Sequence, residues 1–106
     1  MKKLLLLLAI ILAGCGHSQP NESDAKEASR AALLQRVKNP VDVTFFQNEK
    51  VLDLGGGNFQ YNETISATNG FGGTITQNAI VKVKWLKDDP SEVSNWTVVD
   101  FQLNDR

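Results

Sequence analysis

Few side chains in this 106-residue sequence can do covalent or acid–base chemistry. There is one cysteine, Cys15, and one histidine, His17. Nucleophilic catalysis needs a Ser or Cys beside a base, and beyond His17 the chain offers no imidazole. Asp42, Asp53, Glu63 and Asp100 could supply a carboxylate pair for general acid–base work, but they are scattered without a signature. Asp88, Asp89 and Glu92 could offer oxygens to calcium. The spacing of an EF-hand loop is absent, and a solvated loop between strands is the expectation. Gly55-Gly56-Gly57-Asn58 is as glycine-rich as a phosphate loop, yet neither Lys-Ser/Thr nor a helix N-terminus follows. It reads as a hairpin connection. The sequence therefore predicts no enzyme: no catalytic residue, no metal site, no cofactor and no evident small-molecule substrate.

What remains is recognition. Aromatic side chains are favoured as binding anchors, and two are placed where a surface could display them. Phe71 lies in a glycine-rich turn and Trp96 at the start of a strand. Each is a candidate partner-binding residue. Each also has a packing alternative, Phe71 folding back on the sheet edge and Trp96 covering the end of a helix.

The surroundings of Cys15 address a different question. Met1-Lys2-Lys3 is a short basic segment, and residues 4–12 are an apolar run of nine. That is too short to span a bilayer, which takes about 20 residues. Small residues Ala13 and Gly14 follow, so residues 1–14 have the form of a secretory signal and are set aside from the fold. Leu12-Ala13-Gly14-Cys15 resembles the bacterial lipoprotein box, in which Leu12, Ala13 and Gly14 are the signal-peptidase recognition residues. The resemblance implies lipidation of the Cys15 thiol, cleavage before it and acylation with palmitate-type chains. A thiol can carry a thioether lipid, and two or three acyl chains hold firmly where one is marginal. Gly16 stands where an Asp often retains such proteins in the inner membrane. By the same resemblance, the expected location is the cell envelope, at the outer membrane facing the periplasm.

A chain starting at Cys15 loses Lys2 and Lys3 from its eleven basic residues, leaving nine against twelve acidic ones. That balance argues against nucleic acid as a partner, which calls for a basic stripe. A lipidated Cys15 leaves no thiol for a disulfide, so the core alone must hold a small domain together.

The elements follow from periodicity. Residues 15–23 are small and polar and read as the lipidated cysteine and a flexible tether. Residues 24–106 read as one α+β domain. A helix is predicted over residues 24–38, with Asp24 as cap and Glu27 completing a capping box. Leu33, Leu34 and Val37 form its apolar stripe, and Pro40 ends it. Beyond Pro40 the period becomes two. Strands are predicted over residues 41–46, 51–54, 59–68, 73 or 74–86 and 96–103, separated by turns and by a polar loop at residues 87–95. In the third strand Phe59, Tyr61, Ile65 and Ala67 share a face with one exception, Glu63. In the last, Val99, Phe101 and Leu103 share a face.

Register is also legible. A two-residue Asn69-Gly70 turn would oppose Tyr61 to Asn78 and mix polar with apolar faces. A three- or five-residue loop places Phe59 opposite Val81 or Val83 and keeps one apolar face continuous. The predicted architecture is an N-terminal helix packed on a four- to five-stranded antiparallel meander sheet, open to solvent on its other face.

Residues 30–85 resemble a group of small, mostly uncharacterised bacterial lipoproteins and secreted domains. The shared patterns are Lys-Asp/Asn-Pro-x-Ser-x-x-Phe, here Lys38-Asn39-Pro40-Val41-Asp42-Val43-Thr44-Phe45, and Ala-x-Asn-x-Phe-Gly-Gly, here Ala67 to Gly73. Asp42 replaces the usual Ser, and Thr74 stands where an aromatic often follows. The resemblance implies the helix-plus-sheet fold and no activity. The expectation is a lipid-anchored, non-catalytic binding or scaffold module with the membrane and an envelope protein as partners. The alternative is an exclusion or inhibitor lipoprotein, of the sort carried by phages and mobile elements, that blocks another envelope protein.

Overall fold

A computed structural model describes residues 19–105. The signal segment, Leu12, Ala13, Gly14, Cys15 and His17 lie outside the described residues. One helix, α1 (Glu22–Arg36), precedes β1 (Thr44–Phe45), β2 (Lys50–Gly55), β3 (Asn58–Thr68), β4 (Thr74–Trp85) and β5 (Trp96–Asp105). The strands form one open antiparallel sheet in the order β1–β3–β4–β5, with β2 beside β1 on the same edge of β3. This is the predicted helix-on-meander architecture.

The helix begins earlier than its sequence suggests. Asn21 is the cap: its side chain accepts from the Asp24 amide at 2.9 Å, and Asp24 returns a bond to the Asn21 amide at 3.1 Å. Asp24 is thus the third residue of the helix, closing the capping box, and not its cap, and Glu22 and Ser23 belong to α1 instead of a tether. A cap of this kind contributes about 1 kcal/mol. The helix ends at Arg36, because Val37 is already extended two residues ahead of the position that Pro40 restricts.

The buried face of α1 also differs from the predicted stripe. Ala25, Ala28, Ser29, Ala32 and Leu33 are buried, whereas Leu34 and Val37 are half-buried. Small residues let the helix axis approach the sheet closely. Beneath it lie Phe59, Tyr61, Ile65, Ala79, Val81 and Val83, all essentially inaccessible. Each large side chain among them contributes roughly 1.5–3 kcal/mol on burial.

The central hairpin follows the predicted alternation. Phe59 opposes Val83, Tyr61 opposes Val81, and the ladder runs without interruption to Thr68 and Thr74. The connecting loop therefore has five residues, and the two-residue turn is excluded. Gly57 closes the other end of β3 with φ +82°, and a Cβ there would stand 3.3 Å from the Trp85 carbonyl oxygen.

Two edge segments depart from their predictions. Residues 40–42 form a 3-10 turn, so the strand expected over 41–46 shrinks to Thr44–Phe45. In β5 the register shifts between the partners of Lys82 and Val83. One inserted residue moves Val98 onto the covered face and Val99 into solvent, which corrects the expected grouping of Val99 with Phe101 and Leu103.

Candidate functional site

The exception in the β3 alternation is the centre of the most elaborate polar cluster in the described residues. Glu63 faces the helix because residues 59–67 alternate, and it is 3% exposed. Arg30 on α1 meets it with both arms of its fork, Nε to Oε1 at 3.0 Å and Nη2 to Oε2 at 2.8 Å. The Tyr61 hydroxyl donates to Oε1. The Gln47 amide donates to Oε2 at 2.8 Å. Both carboxylate oxygens thus hold two donors each.

The Gln47 amide is available because the edge strand breaks there. β1 pairs Thr44 with Ser66, and β2 pairs Lys50 with Asn62, so two extra residues are absorbed in residues 46–49. Gln47 takes φ 61°, a left-handed conformation. The ladder bonds lost at this bulge are replaced from both sides of the sheet. Glu63 accepts from Gln47 on the covered side. On the open side the Asn48 side chain accepts from the Thr64 amide at 3.0 Å and donates to the Thr64 hydroxyl at 2.9 Å.

Charge continues outward from this corner. Arg30 lies 4.4 Å over the Phe45 ring and 3.9 Å from Glu49, which in turn pairs with Lys26 at 2.9 Å. Burial pulls the Arg30 guanidinium towards lower pKa, but its bonds to Glu63 and Tyr61 outweigh that and hold the proton more firmly than usual. Burial, reinforced by the bond to Glu63, raises the Tyr61 phenol. The hydrogen bond from Lys26 lowers the Glu49 carboxyl. The cluster as a whole joins α1, the bulge and β3. Both oxygens of Glu63 at its centre are filled by the cluster's own donors, so its chemistry is that of a lock.

The five-residue loop after β3 has another organisation. The Asn69 amide donates to the Gly73 carbonyl at 2.7 Å, and the Asn69 side-chain oxygen accepts from the amides of Phe71 and Gly73, each at 2.9 Å. Gly72 supplies the positive φ the loop needs, at 82°. This framework fixes the backbone and leaves Phe71 99% exposed. The packing alternative for Phe71, a return onto the sheet edge, is thereby removed.

Trp96 is buried. Its ring packs on Phe59 with centroids 5.7 Å apart, and its Nε1 donates to the Pro90 carbonyl at 2.7 Å. It is a core residue closing the loop before β5, and offers no ring face to a partner.

The remaining candidates are dispersed. Asp42, Asp53 and Asp100 do not join Glu63 at one site. Asp89 caps a turn, accepting from the Ser91 amide and hydroxyl at 3.0 and 2.8 Å. Among the described residues no group of three His, Cys, Asp or Glu is placed to hold a metal ion. Arg30, Lys26, Gln47 and Glu49 were not signalled as site residues. The one sequence cue is Glu63 itself, a carboxylate on an apolar face. No family model, no curated protein and no solved structure matches this chain.

Proposed function

We propose that the chain is a lipid-anchored cell-envelope protein, attached through Cys15 at the outer membrane facing the periplasm. Its domain binds an envelope protein through the Phe71 tip and performs no catalysis. The observation that carries the binding role is an aromatic side chain held out in solvent by a hydrogen-bonded loop. Ordering the backbone in advance lowers the entropy lost when such an anchor is captured. The saturation of Glu63 by Arg30, Tyr61 and Gln47 supports a structural use of the most deeply buried carboxylate among the described residues.

The fold suits this arrangement. Gln19 and Pro20 line the same hollow as Gly55, Gly56, Gly57 and Trp85, so the chain enters at that end of the sheet. Four residue steps from Cys15 to Gln19 allow at most ~14 Å of chain. The Phe71 tip lies at the far end of the eleven-residue strand β3, ~35 Å away. An anchor on Cys15 would keep the Gly55–Gly57 end near the bilayer and send the tip outward.

The test is crosslinking of the full chain in cells followed by mass spectrometry. Phe71→Ala is expected to lose the crosslinked partner at unchanged expression, and unchanged crosslinks would end the tip assignment. Cys15→Ser is expected to lose palmitate label and leave the membrane fraction. A variant that still labels and stays membrane-bound would refute the anchor.

A further inference from the structure

The open face of the sheet is uneven. Its middle carries Asn62, Thr64, Ser66, Thr76 and Asn78, with Lys50 and the half-buried Ile80 in the row of Asn62. The end at which the chain enters is different. Leu52 shares a row with Gln60 and Lys82, and the next row holds Asn58 and Lys84. Leu54 sits in the register shift between Asp53 and Gly55, and Leu86 follows Trp85, one step past the end of β4. Alternation turns Leu86 to the side of Lys82 and Lys84. Leu52, Leu54 and Leu86 are 55%, 52% and 56% exposed. Among the described residues no carboxylate forms an ion pair with Lys82 or Lys84, although Asp100 stands opposite Lys82.

Three exposed leucines flanked by free lysines are the composition of a surface that rests at a lipid headgroup boundary. Its location is the second argument. Of the two ends of this sheet, the apolar and basic group occupies the one beside Gln19 and Pro20, the first described residues and the ones nearest in sequence to Cys15. We propose that this end of the open face lies on the bilayer, with Leu52, Leu54 and Leu86 entering the headgroup layer and Lys82 and Lys84 meeting anionic lipid phosphates. The inference rests on the lipid anchor proposed above and deepens it: the anchor supplies attachment, and this patch sets the tilt of the domain.

The test uses the mature lipidated chain, purified from membranes and reconstituted into phosphatidylethanolamine vesicles containing phosphatidylglycerol and a headgroup-nitroxide lipid. With Cys15 occupied by lipid, an introduced cysteine is the sole reactive thiol. An environment-sensitive fluorophore at Leu54→Cys is expected to be quenched at least about twofold more than one at Ser23→Cys, which lies at the same end on the helix-covered side. Replacing Lys82 or Lys84 by Gln should shift the balance from lying towards lifted by roughly fivefold per lysine. High salt should act in the same direction. Equal quenching at positions 54 and 23 in a chain that carries palmitate overturns the tilt alone. A chain without palmitate on Cys15 overturns both the tilt and the anchor.

Discussion

At the Arg30–Glu63 corner hydrogen bonds are spent inward, and at the residue 69–73 tip they are spent on display. Each region is built on one side chain that gathers donors from around it. Glu63 collects a guanidinium, a phenol and the Gln47 amide, and the result is sealed under α1. Asn69 collects two amides of its own loop, and the result is a rigid frame around an aromatic with no neighbour. The residues best equipped for chemistry are thus consumed in holding the fold, and the residue best placed for contact has no chemistry at all. A conspicuous buried charge network is a poor guide to function when its valences are filled.

The contrast can be broken experimentally, most severely at the corner. Arg30→Met leaves Glu63 buried without its bidentate partner and should cost about 3–5 kcal/mol in urea unfolding. Arg30→Met combined with Glu63→Leu should recover the greater part of that loss, since apolar replacement of a whole buried pair is often nearly neutral. A single change costing under about 1 kcal/mol would show that the corner is not a lock.

Tyr61→Phe is a milder cut. It removes one donor from Glu63 and should cost about 1–2 kcal/mol at neutral pH. It should also alter the alkaline limb. Burial and the bond to Glu63 raise the folded phenol above its ordinary value of about 10. The folded state then keeps a proton that the unfolded state releases. Stability from this source is complete below about pH 10 and is lost as the pH rises beyond it. The variant should lose less stability than the parent over that range, and parallel curves would acquit the phenol.

Smallest in stability is Phe71→Ser at the tip, expected within about 0.5 kcal/mol of the parent. On the proposed reading, its effect belongs to partner capture. A large loss of stability there would mean that the exposed ring packs on something after all.

The parts of the fold that were legible in the sequence are those in which one rule acts alone. The β3–β4 register follows from strict alternation, and apolar residues on one face leave a five-residue loop as a consistent solution. The helix starts ahead of its expected position because Asn21 and Asp24 are both good caps, and the reciprocal box selects the first. The bulges were not legible. Nothing in the composition of residues 46–49 announces two extra residues, and Val99 is as apolar as Val98. Their placement is decided by which partner atoms on β3 and β4 need filling. For the same reason the corner was visible only as an anomaly. Glu63 stood out on an apolar face, but Gln47 contributes a backbone amide, for which no side-chain pattern exists.

The irregularities share one further property. The insertions at residues 46–49, at Leu54 and at Val99 all fall in the outermost strands, while the ladder between β3 and β4 runs unbroken over eleven pairs. An outer strand with a straight backbone is a template on which another chain can add its own strand, and sheets so exposed grow into fibres. Here neither side offers a straight template of full length. If Cys15 carries the proposed anchor, copies share a two-dimensional surface at raised local concentration, where kinked borders would keep neighbours from zipping together.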